Sequence, residues 1–236
     1  RGTLHEPDDH RPPHAMISLD GTALVSLVLR LPFVGVWTAD VEVPATTAPV
    51  GAVTLTADTG ETFRGAVLSG GLSAGVWRGV LVGGAGGLRR ALDPTHYHGA
   101  TAADVVLDAL SLAGEARAPG GADLSAIALQ RWVRRAQSAA RTVADVAQLA
   151  AVPWRVLADG TVWIGADAWD DATPADLSVV AEHRADGRYE LAGATLGLRP
   201  GATTTLRLAD EDLGVRLVDV VHRLGPAGLT TTVWGA

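Results

Sequence analysis

The stretch Val25-Ser26-Leu27-Val28-Leu29-Arg30-Leu31 sets apolar residues at every second place, and after Pro32 the same beat continues through Phe33, Gly35, Trp37, Ala39, Val41 and Val43. A period of two predicts strands with one buried face, because successive side chains on a strand point to opposite sides. Working outward, Val53 and Leu55 alternate with Thr54 and Thr56, Asp58-Thr59-Gly60 signals a turn, and Phe63, Gly65 and Val67 begin another strand. Gly70-Gly71 is expected to break that strand before Val76 to Val82 resumes the pattern. Short strands with Gly-rich turns predict an antiparallel barrel or sandwich over residues 16–92.

Alternation returns near the C-terminus at Leu177 to Ala181, Tyr189 to Leu198, Thr203 to Leu208, Val215 to His222 and Leu229 to Trp234. Residues 170–236 are therefore expected to form a second β-barrel domain, entered through a linker marked by Asp170-Asp171 and Pro174. The middle, residues 93–169, reads differently. Thr101-Ala102-Ala103-Asp104 has the form of a capping box ahead of Val105, Val106, Ala109, Leu110 and Ala113, with Gly114 as the stop. Thr142-Val143-Ala144-Asp145 repeats that form and predicts a second helix that Pro153 ends, with a short strand at Gln130 to Arg135 before it. Val156, Asp159-Gly160 and Val162 predict a hairpin with a type I′ turn. The fold class is thus mainly β with an α/β insertion: two antiparallel β-barrel domains flanking a small β-α-β-β module. Residues 1–15, with their Pro residues, charges and histidines, are expected to be a flexible or extended arm.

Composition narrows the function classes. The chain has no cysteine, so disulfides, thiolate metal sites and thiol nucleophiles are excluded. All 19 basic residues are Arg and the net charge is −7, which argues against a dedicated nucleic-acid binder. The longest apolar run, Leu24 to Val36, is broken by Ser26, Arg30 and Pro32 and is too short to span a bilayer. No signal-peptide pattern is visible.

Chemical motifs are sparse. Val82-Gly83-Gly84-Ala85-Gly86-Gly87 lacks both the following crossover helix and the Gly-Lys-Ser/Thr of a phosphate loop, and reads as a flexible interdomain or intersubunit loop. His96 and His98 share one face of an extended segment and are candidate metal ligands, with Asp93, Asp104 or a neighbouring chain supplying the third. The plainer reading is two exposed or hydrogen-bonded histidines. Asp170-Asp171 and Asp210-Glu211-Asp212 read as solvated turns rather than facing catalytic carboxylates. No catalytic site and no cofactor is expected. The seven Trp residues read as core fillers or as interface anchors. Trp37, Trp77 and Trp132, with Arg89 and Arg90, are the candidates for subunit contacts.

Three segments carry a resemblance. Phe63-Arg64-Gly65-Ala66-Val67 runs through Trp77 to Val82-Gly83-Gly84, Tyr97-His98-Gly99 leads into Thr101 to Val106, and Leu198-Arg199-Pro200-Gly201 runs through Val218 to Arg223 and Thr230 to Val233. In this order they resemble the tail or baseplate hub proteins of bacteriophages: late-control-protein-D and Mu-type hubs, and the base of type VI secretion spike proteins. The resemblance implies a non-enzymatic virion protein, a homotrimer whose paired barrels form a pseudo-six-fold ring. Such a ring would be a symmetry adaptor between the hexameric tail tube and a trimeric tip or spike. It also implies partners among tail tube and distal tail proteins, the tip or spike protein and a tape measure protein, with assembly in the host cytoplasm. Two alternatives stand beside it: a distal tail ring component, and a glycan-binding surface module using exposed Trp residues.

Overall fold

The computed structural model describes residues 16–169, 177–192, 196–208 and 211–235; the expected arm at 1–15 and linker at 170–176 lie outside them. The chain is mainly β, with an α/β insertion between two barrels. The first barrel contains β1 (Ile17–Leu19), β2 (Thr22–Ala23), β3 (Ser26–Leu31), β4 (Thr38–Pro44), β5 (Ala52–Ala57), β6 (Thr62–Ser73) and β7 (Val76–Gly83). Antiparallel pairing runs β3-β4-β7-β6-β5-β1-β2. Because β2 leads into β3 across Leu24 and Val25, the β1–β2 pair closes the circle. Leu27, Leu29, Ala39, Val41, Leu55 and Phe63 fill the interior, as the period of two requires.

After β8 (Ala91–Leu92), the insertion holds β9 (Thr95–Thr101), α1 (Ala102–Ala113), β10 (Ala128–Arg134), β11 (Gln137–Ser138), α2 (Ala139–Leu149), β12 (Trp154–Val156) and β13 (Val162–Ile164). Helix α1 begins and ends as the sequence predicts: Thr101 and Asp104 form a reciprocal capping box, and Gly114 takes the left-handed conformation. Both helices bury apolar faces, Val105, Val106, Ala109 and Leu110 on α1 and Val143, Val146 and Ala147 on α2. Helix α2 starts one turn earlier than expected. Ser138 is its N-cap, and Thr142 is buried inside the helix with its hydroxyl donating to the Ser138 carbonyl (3.3 Å). The strand ahead of α1 and the short β8–β11 pair add to the expected element order.

The second barrel contains β14 (Ser178–His183), β15 (Arg188–Ala192), β16 (Thr203–Arg207), β17 (Asp212–Gly225) and β18 (Gly228–Gly235). Pairs β14–β15, β15–β18, β18–β17 and β17–β16 are antiparallel, and a parallel contact, Ser178 to Arg207, closes the circle. These strands repeat the first barrel in chain order. Pairs β3–β4, β4–β7, β5–β6 and β6–β7 recur as β14–β15, β15–β18, β16–β17 and β17–β18, with the same senses. The closing hairpins match in length, 12 and 8 residues against 14 and 8, and each long strand carries a bulge, at Val67/Ser69 and at Leu217/Asp219.

Three local expectations are corrected. Phe33 to Trp37 is not a strand: Pro32 interrupts the ladder, and Gly35 pairs instead with the insertion, its N–H donating to the Trp154 carbonyl (2.8 Å) and its carbonyl accepting from Val156 (2.9 Å). Between β12 and β13 the Leu157 N–H donates to the Thr161 carbonyl (2.8 Å) and encloses a three-residue loop, 158–160, with Gly160 at φ 85°, rather than a two-residue turn. Gly70-Gly71 does not break β6.

The reason lies in two facing glycine pairs. Gly65 pairs with Gly83 and Gly70 with Gly79 across β6 and β7. A Cβ on Gly65 or Gly83 would stand 2.6 or 2.5 Å from the Trp37 ring, and one on Gly70 or Gly79 2.4 or 2.2 Å from the Trp77 ring. Each indole lies over a strip of bare backbone, so two large rings fit inside one small barrel. Gly79→Ala is expected to cost about 1–3 kcal/mol by overpacking Trp77. Gly71→Ala, where a Cβ meets nothing within 4 Å, should shift stability by less than about 0.5 kcal/mol. Urea midpoints of the two variants check the contrast.

Candidate assembly surface

Both barrels meet at a seam between β3 and β17. Residues 27–31 pair antiparallel with residues 220–224, joining all barrel strands into one twelve-stranded sheet. One edge of β17 pairs with β18 from Leu217 onward; the other pairs with β16 over 212–216 and with β3 over 220–224. The bulge at Leu217/Asp219 sits at this change of partner, where the Asp219 carboxylate accepts the Phe33 N–H (3.0 Å).

The insertion locks the seam from the side. Arg155 of β12 forms a two-pronged pair with Asp167, their side chains only 14% and 3% exposed, and its guanidinium lies 4.5 Å from the Trp163 ring centre. Phe33 stacks on Trp169 at 5.5 Å, and the Arg216 guanidinium lies over the same Trp169 indole at 5.3 Å. Gly201 packs against the Arg155–Asp167 pair, where a Cβ would meet both side chains. A cleft of about 100 Å³ remains, lined by Pro32, Trp37, Phe63, Arg155, Arg199 and Pro200. Asp167→Ala leaves the Arg155 charge buried and unpaired and is expected to cost about 3 kcal/mol or more, read as a lowered urea midpoint.

His222 stands at the centre of the seam, opposite Leu29 on β3 and Thr231 on β18. It is fully buried, with Nδ1 2.8 Å from the Thr231 hydroxyl and Nε2 3.3 Å from the Leu198 carbonyl. Burial pushes its pKa down from 6.5 to about 4; the Leu198 carbonyl opposes this and the Arg199 charge adds to it. Below pH 6.5 the unfolded chain therefore takes up a proton that the folded chain refuses. The stability present above pH 6.5 falls toward pH 4, by about 3 kcal/mol at roughly 1.4 kcal/mol per pKa unit. Urea midpoints at pH 7.5 and pH 5 should drop steeply for the native chain and less for His222→Gln.

The residues singled out from the sequence are scattered. Trp37 and Trp77 are 2% and 1% exposed inside the first barrel, so these two candidates for subunit contacts are core residues instead. Trp37 also donates from Nε1 to the Leu157 carbonyl (3.2 Å), tying the barrel to the insertion. Trp132 is half-buried against Tyr97 at 5.7 Å on the α1 side of the β9–β10 pair. Arg89 is exposed, whereas Arg90 donates to the Leu112 carbonyl at the end of α1 (2.8 Å). His96 and His98 are exposed on β9, opposite Val133 and Arg131. Asp104 is committed to the α1 cap, and among the described residues no group of three His, Cys, Asp or Glu side chains is placed to hold a metal. The Gly-rich exit loop is an interdomain clasp: the Ala85 and Gly87 N–H groups donate to the Glu115 carboxylate (2.9 and 2.7 Å). Asp170-Asp171 and Asp210 lie outside the described residues, while Glu211 and Asp212 pair with Arg184 and Arg207.

Sequence reasoning missed a second polar network. Arg134, with a side chain 3% exposed, donates to the Asp93 carbonyl, the Thr95 hydroxyl, the Tyr97 hydroxyl and the Asp108 carboxylate. Burial and the hydrogen bond to Asp108 push the Tyr97 pKa up to about 12. The signal was present, since Arg134 shares the inward parity of Trp132 on β10.

Among the described residues, the barrel stretches without a ladder partner on one side include one in β6 and one in β14. Beyond Ala66, β6 leaves β5, and residues 68–73 have no ladder partner on that side among the described residues. Beyond Ser178, β14 leaves β16, and residues 179–183 are open likewise. The open stretch Leu68-Ser69-Gly70-Gly71-Leu72-Ser73 carries no charge, and Leu68, Leu72 and Val180 are 38%, 41% and 62% exposed.

No family model matches the chain, and no curated protein matches it in sequence. Solved structures do. A 43 kDa tail protein of prophage MuSo2 from Shewanella oneidensis aligns with TM-score 0.67 at 11% identity, over 93% of this chain and 96% of that one. A tail protein from Neisseria meningitidis aligns with TM-score 0.65 at 13% identity, over 93% and 95%. An Escherichia coli protein, described as a type VI secretion component with structural similarity to the T4 bacteriophage tail proteins gp27 and gp5, aligns with TM-score 0.70 at 12% identity, over 93% and 76%. The chain therefore shares its fold, over nearly its whole length, with phage tail proteins and a type VI secretion component.

Proposed function

We propose that this chain is a non-enzymatic structural hub of a phage tail tip or baseplate, or of a related injection particle. Its working units are the barrels at residues 16–92 and 170–236 and the insertion at 93–169. Three copies make a ring of six barrels that joins a hexameric tail tube to a trimeric tip or spike. The observation that carries this reading is the duplication: five strands in each half share order, sense and partners. A chain with two equivalent units can present six-fold-like contacts on one side while keeping three-fold symmetry overall. Open strand edges, one of them without a charged residue, fit a subunit that is incomplete alone.

The duplication also separates the hub from a distal tail ring of six identical chains, which has no need of a repeated barrel. The glycan reading lacks a platform: Trp37, Trp77 and Trp154 are buried, and the other four indoles are only partly exposed.

Native mass spectrometry and negative-stain images of the purified chain test the proposal. The expected result is a species of three chains whose class averages show a ring with six lobes. A chain that stays monomeric at every concentration, or closes as a six-chain ring, overturns it.

A further inference from the structure

The seam inside the chain and the two open edges are related by the repeat. In the collinear correspondence β17 is the counterpart of β6, and β14 is the counterpart of β3. The seam joins the part of β17 beyond its bulge to β3. Its counterparts are the part of β6 beyond its bulge, residues 68–73, and β14. Both stretches lack a ladder partner on that side among the described residues.

The edges switch partners in the same manner. β17 pairs with β16 before its bulge and with β3 after it, while the same edge of β6 pairs with β5 before its bulge and, among the described residues, with no strand after it. The strand β2–β3 closes its own barrel at residues 22–23 before serving the seam, while β14 closes its barrel at Ser178 and then stands open.

We propose that copies of this chain join by pairing residues 68–73 of β6 in one copy, antiparallel, with residues 179–183 of β14 in the next. The contact repeats between molecules the seam that β17 and β3 make within one. It rests on the hub reading and names the surface by which that hub assembles. The partner is a second copy because the two edges are complementary: β6 and β14 have the senses of β17 and β3, and the same step that carries the first barrel to the second carries on to the next chain. Exposed Leu72 and Val180, 41% and 62% exposed, gain cover at such a seam. A contact between two different edges is heterologous, and repeated around an axis it closes into a ring.

The absence of native cysteine gives a clean test. Leu72→Cys and Val180→Cys, made singly, are mixed and treated with a short bismaleimide. The expected result is efficient cross-linking only between the two variants, with Val50→Cys, 81% exposed, as the unreactive control partner. In one chain the double variant should yield closed multimers. Leu72→Lys should shift the sedimenting species to single chains while leaving the circular dichroism melt unchanged. If the native chain forms a multimer that persists in Leu72→Lys and cross-links no better at 72–180 than at 72–50, the seam is wrong and the hub reading stands. If the native chain never multimerises, both fall.

Discussion

The structure depends on the backbone pairing of β3 with β17. Without it the two barrels would be beads on a chain, tied only through the insertion. With it, residues 27–31 and 220–224 make one ladder, and the relative position of the barrels is set by hydrogen-bond register. The cost falls on β17, which must serve its own barrel and its neighbour along one edge. Its length of 14 residues and its bulge are the consequence. Buried polar groups at this place need partners, and they have them: Asp219 holds the Phe33 N–H, and His222 sits between Thr231 and Leu198. A neutral imidazole satisfies both neighbours without bringing a charge into the core.

The first barrel shows how a small closed sheet accommodates large rings. Few strands leave little interior, and two indoles would overfill it if the facing wall carried side chains. Glycine at 65, 70, 79 and 83 removes that wall where Trp37 and Trp77 lie. The tilted contact of Trp37 with Phe63 (5.8 Å, 81°) completes the packing at one end. The same Trp37 reaches the Leu157 carbonyl, so core filling and attachment of the insertion are one arrangement.

Much of this was legible locally. The alternation through Leu27, Leu29, Ala39 and Val41 survives because each strand has one dry and one wet face. The α1 cap is a four-residue pattern and needs no tertiary knowledge. What failed to show depends on distant partners. Phe33 to Trp37 alternates like a strand, yet Gly35 is drawn to Trp154 and Val156. Gly70-Gly71 looks like a break until Trp77 is placed over it. Trp37 and Trp77 were readable as core or interface, and only closure of the barrel decides for the core. Arg155 and Asp167 gave no sign at all, since an ion pair of this kind is set by how three units meet.

The duplication was visible as two alternating regions, but its exact order was not. The second region opens with a hairpin after a long insertion, and the first is preceded by β1 and β2, so matching by eye starts in the wrong place. Only the strand pairing in the folded chain aligns β3 with β14 and β6 with β17. The alignment then has a geometric consequence. A repeat whose halves meet through non-equivalent edges, β3 of one and the counterpart of β6 of the other, is polar: it has a used edge and a spare edge of each kind. A repeat meeting through equivalent edges would be finished at two units. Among the described residues the polar seam leaves one stretch open in each barrel, in β6 and in β14, and is therefore a contact that further copies can continue.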